Sequence, residues 1–389
     1  MKTSVFYLPG VGTRSQVEAG HAGLRGELYD EMLREVLGQC QLADELGFDS
    51  VSFTEHHFHS EGFELSNNPI LLDLYIGLQT ERLRVGQLGI VLPANNPLRV
   101  AEDIAMLDRM TGGRANAGFA RGYQRRWVDT MAQQTHGIHG VRPHEHDRMD
   151  DTNRAAFEEN FRIIKRAWTE GYFSHQGQFW QIPPEGTPWT MEATERWGAG
   201  VTDGIVTEIA VVPKPLQQPH PPIFQPFASS ERTIRFCAEE GITPILPPLH
   251  PLLEERLIAL YAEASGRPPG DGIGVLRDVI IADSDEEAQK IWLDGPVFCG
   301  STWFAPFGFD RGMLHPDTGE EFEGDRFADG LSFVGTVDTV TRQLETLRNR
   351  VPVEWVFAWN YNGLVDDDRI RHSMEAWRND IVPRVATWE

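Results

Sequence analysis

The stretch "SVSFTEHHFHSEGF", Ser50 to Phe63, sets Glu55, His56 and His57 directly after an apolar run. Imidazole titrates near neutrality, so either histidine could act as a general base or donate a hydrogen bond to an oxyanion. The plain alternative is a pair of satisfied polar side chains at a strand end. A metal centre needs three convergent ligands. "EHHFH" offers some of them, and "HEHD" at 144–147 looks similar, but the latter sits in a polar loop with no placed partner. No metal is expected, and the three residues are read as a catalytic group.

Two further stretches could hold an anion. Arg121 follows "AGFA" and precedes Gly122, and Arg154 is placed at the start of a helix. "ASSERT" (228–233) opens another helix with Ser229, Ser230 and Thr233. Backbone N–H groups and the helix dipole make such a terminus an anion site. Simple N-capping by serine explains the same residues. Arginines converging there would favour phosphate, and both readings stand at this point.

The elements that position these residues alternate two periods. Strands are predicted at 4–8, 48–54, 83–93, 114–120, 222–226, 243–246, 273–282 and 353–358. Helical i, i+3, i+4 spacing lies between them at 28–46, 69–80, 97–110, 152–169, 230–240, 252–265, 284–293, 337–348 and 367–380. Continuous apolar strands alternating with amphipathic helices imply a parallel sheet buried on both faces. Eight such units predict an α/β fold, a (β/α)8 TIM barrel, over a doubly wound sheet. A single domain over 1–389 is expected, with insertion segments at about 123–150, 171–221 and 295–335. In a barrel, function sits where strands end. Glu55–His57 would lie at the end of the second strand and Leu88–Gly89 inside the third. Arg121 would lie just past the fourth, and Ser230 would open the helix after the fifth. The run "FCGSTWFAPFGF" (298–309) is too rich in aromatics for disorder and is read as a lid over an apolar ligand.

Net charge is −23, a field that repels nucleic acid and anionic membrane. An anionic cofactor would need a few local arginines and N–H groups. No apolar run approaches the roughly 18 residues of a spanning helix. The N-terminus enters a strand-like run without the features of a signal peptide. Three widely spaced cysteines, Cys40, Cys237 and Cys299, suggest no disulfide framework, so a cytoplasmic setting is expected.

Several segments together resemble the bacterial luciferase-like flavin monooxygenases. They are "GFDSVSFTEHHF", "VGQLGIVLPANNPLRVAEDIAMLDRMTGGRANAGFARG", "WTEGYFSHQGQFW", "VVPKPLQQPHPPI", "FVGTVDTV" (333–340) and "DIVP" (380–383). The resemblance covers nearly the whole chain in order. It implies a barrel that binds reduced FMN (FMNH2) supplied by a separate NAD(P)H-dependent flavin reductase. O2 would then give a C4a-hydroperoxide that oxygenates an aldehyde or ketone, or hydroxylates. His56 matches the family's catalytic histidine, the base and hydrogen-bond partner near the flavin, with His57 and Glu55 as its supporting neighbours. Arg121, Arg154, Ser230 and Thr233 fall on positions that grip the FMN phosphate. Leu88–Gly89 falls where the family has a non-prolyl cis peptide. Two departures stand out. Ala120 replaces a reactive cysteine of the light-emitting α subunit, and Ser229 replaces an acidic residue, which alters the phosphate site in detail.

The expected function is therefore a two-component FMNH2- and O2-dependent monooxygenase acting on an apolar or partly aromatic small molecule, as a homodimer. A hydride-transfer enzyme of the same superfamily using F420 is the alternative, although the negative charge argues against holding an oligoglutamate tail. A non-catalytic flavin-binding subunit and a metal-dependent hydrolase are weaker readings.

Overall fold

A computed structural model describes residues 1–133, 137–143 and 145–386. The chain folds as two compact units. One comprises Met1–Ile90, Asn116–Phe119 and Ile223–Glu389, the other Val91–Ala115 and Ala120–Pro222.

The first unit carries the barrel. Its strands are β1 (Lys2–Tyr7), β2 (Ser50–Phe53), β3 (Arg84–Gln87), β4 (Ala115–Ala120), β5 (Ile223–Gln225), β6 (Thr243–Leu246), β7 (Gly274–Ile281) and β8 (Trp355–Asn360). They neighbour one another in chain order, and β8 pairs back with β1 to close the sheet. Tyr7 lies beside both Asn360 and Phe53, Phe53 beside Gln87, and Ala117 beside Ile223. Val5, Val51, Val85, Ala117, Val275 and Val356 are fully buried, as strands covered on both faces require. The predicted closed parallel barrel is what forms.

Local sequence explains the helix boundaries. Helix α1 (Gly26–Leu46) ends at Gly47, whose φ of 75° needs the freedom of glycine. Helix α2 (Pro69–Gly77) starts from Asn68, which accepts from Leu71 N at 3.0 Å, with Pro69 in the first turn. Helix α3 (Pro97–Met110) repeats this device with Asn96 and Pro97. Helix α4 (Arg148–Thr169) is capped by Asp147, and Trp168 of α4 donates to the Ala101 carbonyl of α3 at 2.9 Å. Both α3 and α4 belong to the second unit, which is completed by a small core of Trp127, Val128, Ile138 and Ala156. Past β5 come α5 (Glu231–Glu240), α6 (Pro251–Ser265), α7 (Asp285–Trp292), α8 (Val337–Arg350) and α9 (Asp367–Ala376).

Three expectations need correction. The long third strand, 83–93, stops at Gln87, followed by a cis Leu88–Gly89 peptide and a short strand, Ile90–Val91. The apolar residues on both sides of Gln87 concealed that break. Helix α4 begins four residues earlier than its apolar spacing suggests, at Arg148, because Asp147 caps it. Arg154 therefore lies in the second turn rather than at the start. The 295–335 segment is not irregular throughout: wide and tight helical turns continue α7 from Leu293 to Met313. Pro296 lacks the N–H for a regular α-turn, which disguises the helix in the sequence. The hairpin predicted from "GYFSHQGQFWQIP" forms between His175–Gln176 and Gln181–Ile182.

Candidate functional site

The backbone leaving β2 brings Glu55 and His56 inside, and His56 N donates to the Ser66 carbonyl at 2.9 Å. The adjacent histidines then take different partners. His57 Nε2 lies 3.2 Å from Glu55 Oε1, whereas His56 Nε2 lies 3.4 Å from Oε1 of Glu64. His59 joins the second group, with Nδ1 donating to the Phe63 carbonyl at 2.9 Å and lying 3.5 Å from Glu64 Oε2. That same oxygen accepts the indole N–H of Trp303 at 2.6 Å. His56, His59 and Glu64 are all buried.

Burial, and after it the charge of His57, pushes the His56 imidazole down to about 3. His56 is thus neutral at physiological pH, offering one N–H donor and one lone-pair nitrogen. A conjugate acid this strong makes a poor base near neutrality, so hydrogen bonding is the role its surroundings favour.

The aromatic segment lies over this group. Trp303 stacks on Phe63 with centroids 5.1 Å apart and meets His59 edge-on at 5.1 Å. Phe304 packs edge-on against Trp359 at the end of β8, and Phe309 against Phe227. A small cavity beneath is lined by Leu8, Phe63, Glu64, Cys299, Phe304 and Trp359. Its thiol, Cys299, is raised well above the usual range by burial.

At the end of the neighbouring strand, Leu88 N donates to the Phe53 carbonyl at 2.6 Å. The Leu88–Gly89 bond is cis, at the position the family resemblance implies. A Cβ on Gly89 would come within 2.6 Å of Phe119 N, so the close approach to β4 requires glycine. Past β5, Ser230 caps α5, accepting from Thr233 N at 3.3 Å and donating to Thr233 Oγ1 at 2.9 Å. Capping is thus what occupies these hydroxyls, and Ser229 sits half-buried just before the cap.

Within the second unit, Arg121 Nη2 donates to Asp150 Oδ1 at 2.6 Å. Its Nη1 is buried without a hydrogen-bond partner among the described residues. An orphaned guanidinium donor suits an anionic ligand, which is the observation in favour of a flavin phosphate. Arg154 is buried in α4. The buried donor of Arg121 thus fits an anionic group such as a phosphate.

The structure brings His56 together with His59 and Trp303, which the sequence offered only inside "EHHFH" and the aromatic run, and with Glu64, which the sequence reading did not single out. Glu64 follows the quoted stretch by one residue. Its signal was a carboxylate set between apolar Phe63 and Leu65. The ligand atoms of His56, His59 and Glu64 all lie within 4.8 Å of one another. Of these, His59 is engaged with the Phe63 carbonyl and Glu64 with the Trp303 indole. "HEHD" includes His144, outside the described residues; His146 is exposed and 3.8 Å from Asp150.

A closed parallel barrel whose chemistry-bearing side chains gather at strand ends is the architecture of barrel enzymes. The profile of the luciferase-like monooxygenase family matches residues 1–352, and the chain belongs to that family. It is 26% identical over 373 residues to the oxygenase component of a flavin-dependent trigonelline monooxygenase of Acinetobacter baylyi, covering 92% of this chain and 90% of that protein. It is 26% identical over 340 residues to 3,6-diketocamphane 1,6-monooxygenase of Pseudomonas putida, covering 78% and 80%. The oxygenating constituent of the Pseudomonas putida 3,6-diketocamphane monooxygenase, a type II Baeyer–Villiger enzyme solved with FMN, shares the fold with a TM-score of 0.74. That likeness carries 21% identity over 99% of this chain and 98% of that one. Among the described residues no helix is long and apolar enough to cross a membrane.

Proposed function

We propose that this chain is the oxygenase component of a two-component FMNH2- and O2-dependent monooxygenase, with a separate NAD(P)H-dependent reductase supplying the reduced flavin. The observation that carries this reading is the buried, neutral His56 at the end of β2, beside Leu88–Gly89 at the end of β3, in a chain of this family.

When bound, reduced FMN supplies the electrons that activate O2. The chain's residues divide the remaining work. Leu88–Gly89 brings bare backbone to the strand end, where a flat ring can approach. Within the second unit, Arg121, with its buried Nη1, and Arg154 would hold an anionic group, and within the barrel unit the α5 terminus at Ser229, Ser230 and Thr233 is assigned the same kind of role. His56 gives a directed hydrogen bond, with Glu55 and His57 as a supporting pair. The aromatic segment excludes water, which strengthens each of these interactions. Its Phe and Trp side chains favour an apolar or partly aromatic substrate, and among the named relatives the diketocamphane enzyme points to oxygenation of a ketone.

We also propose a single catalytic domain interrupted by its insertions, and a homodimer. Leu71, Tyr75 and Leu78 stand exposed at i, i+4 and i+7 along α2 and its C-cap, an apolar stripe suited to a second copy.

Anaerobic titration with FMNH2, followed by mixing with 18O2 and a panel of cyclic ketones and aldehydes, tests the reading. One labelled oxygen per product is expected. Absence of FMNH2 binding overturns it, and binding of F420 in its place would establish the hydride-transfer alternative.

A further inference from the structure

We propose that Glu64 is a positioning residue that holds His56 in its Nε2–H tautomer, and that its grip depends on Trp303 being closed over it. The inference rests on the reading of His56 as the working imidazole.

An ionised carboxylate accepts hydrogen bonds and donates none. With Glu64 Oε1 3.4 Å from His56 Nε2, the ring proton belongs on Nε2 and the lone pair on Nδ1. His59 Nδ1 faces two acceptors, the Phe63 carbonyl at 2.9 Å and Glu64 Oε2 at 3.5 Å, so it too presents an N–H. The third N–H, 2.6 Å away, comes from Trp303, 239 residues further along the chain. Three donors from two chain segments thus converge on one buried side chain.

Glu64 also adopts a left-handed backbone, with φ of 54°, which a glutamate rarely takes up. Such outliers persist where the surroundings hold them, and they cluster at ligand clamps and switch regions. Here the left-handed turn belongs to the residue whose carboxylate meets both the imidazole and the indole.

An apolar lid needs no directed polar anchor. Phe304 and Phe309 already pack on Trp359 and Phe227. The Trp303 bond adds something packing does not, a link between the position of segment 298–309 and the protonation geometry of His56. If the segment lifts, Glu64 Oε2 loses the shorter of its two donors and water reaches the carboxylate. The ordered His56 ring would then be present only in the closed, water-excluding state.

The test uses the full chain without flavin, by 15N NMR of labelled histidine and by hydrogen exchange of segment 298–309. Trp303→Phe keeps the stack on Phe63 and removes only the N–H. Glu64→Gln keeps an oxygen for Trp303 but turns an amide N–H toward His56, which drives the ring proton to Nδ1. The wild-type chain is expected to show His56 as Nε2–H. Glu64→Gln should give a mixed or reversed tautomer, and Trp303→Phe should speed exchange of the segment by about tenfold or more, as for loss of one hydrogen bond to a charged group. In turnover both variants should lower kcat with KM unchanged. Retention of the Nε2–H tautomer in Glu64→Gln, or unchanged exchange in Trp303→Phe, overturns the inference. So does a stoichiometric metal held by His56, His59 and Glu64. Because these readouts need no flavin, a wild-type chain that shows them yet makes no oxygenated product would overturn the functional reading alone.

Discussion

Arg121 is held by α4 at both ends of the residue: its Nη2 donates to Asp150 Oδ1 at 2.6 Å, and its carbonyl accepts from Asn153 Nδ2 at 3.0 Å. Asp150 and Asn153 are three residues apart and so share a helix face. The guanidinium is thereby fixed in place, with Nη1 left over as a buried donor.

A fixed cation with a spare donor should recognise the phosphate of FMN and be indifferent to the ring. Arg121→Ala is expected to weaken FMNH2 binding by about ten- to hundredfold, the range for a hydrogen bond between charged groups. Riboflavin lacks the phosphate and should bind the variant and the parent chain alike. Equal loss for both flavins would reassign Arg121 to a structural role.

His56 carries a pH signature. Its folded pKa, about 3, is depressed below the ordinary histidine value of about 6.5. The unfolded chain therefore binds a proton that the folded chain refuses, and stability is lost as pH falls from about 6.5 toward 3. Between pH 6.5 and 4.5 this amounts to roughly 2 kcal/mol, an order-of-magnitude figure. His56→Gln should lose less stability than the parent over that interval, measured by urea unfolding at the two pH values. Parallel losses would place the histidine's proton elsewhere. The same variant should retain flavin binding while losing most coupled product formation.

The barrel was legible because its short strands are buried on both faces and centred on apolar residues such as Val51, Val85 and Val275. Gly47, Asn68–Pro69 and Asn96–Pro97 punctuate the helices with residues whose backbone chemistry is local. What eluded the sequence was non-local. Nothing near Glu64 announces a partner at Trp303, and tandem histidines give no sign that one meets Glu55 and the other Glu64. Pro296 and the glycines of the aromatic segment mask helical turns that are held by packing on Phe63 and Trp359 rather than by propensity.

Close backbone approach makes Gly89 a sharp test of the barrel at β3 and β4. An alanine Cβ would meet Phe119 N at 2.6 Å and Gly118 C at 2.7 Å, both backbone atoms with little room to move. Gly89→Ala is expected to cost about 1–3 kcal/mol, as overpacking does. Gly300 lies in a helical turn with nothing within 4 Å of its added Cβ, so Gly300→Ala should be neutral or stabilise by up to about 1 kcal/mol. Urea midpoints for the pair would settle it, and equal effects would reject the crowding argument.

The charge pair farthest from solvent lies away from this chemistry. Arg277 of β7 and Glu254 of α6 are both fully buried, and Nη2 donates to Oε1 at 2.5 Å while Arg350 binds the other oxygen. Arg277 also donates to the carbonyls of Gly330 and Leu276, so its guanidinium is satisfied only with Glu254 in place. Removing the carboxylate strands a buried cation whose hydration cannot be restored. Glu254→Leu should therefore destabilise the fold by about 3–5 kcal/mol. Pairing it with Arg277→Met removes the fully buried charge, leaving the partly solvated Arg350, and should recover much of that loss, since well-packed apolar replacements of buried ion pairs are often tolerated. A double variant as unstable as Glu254→Leu alone would mean that the hydrogen bonds to Gly330 and Leu276, not the charge, hold this part of the barrel together.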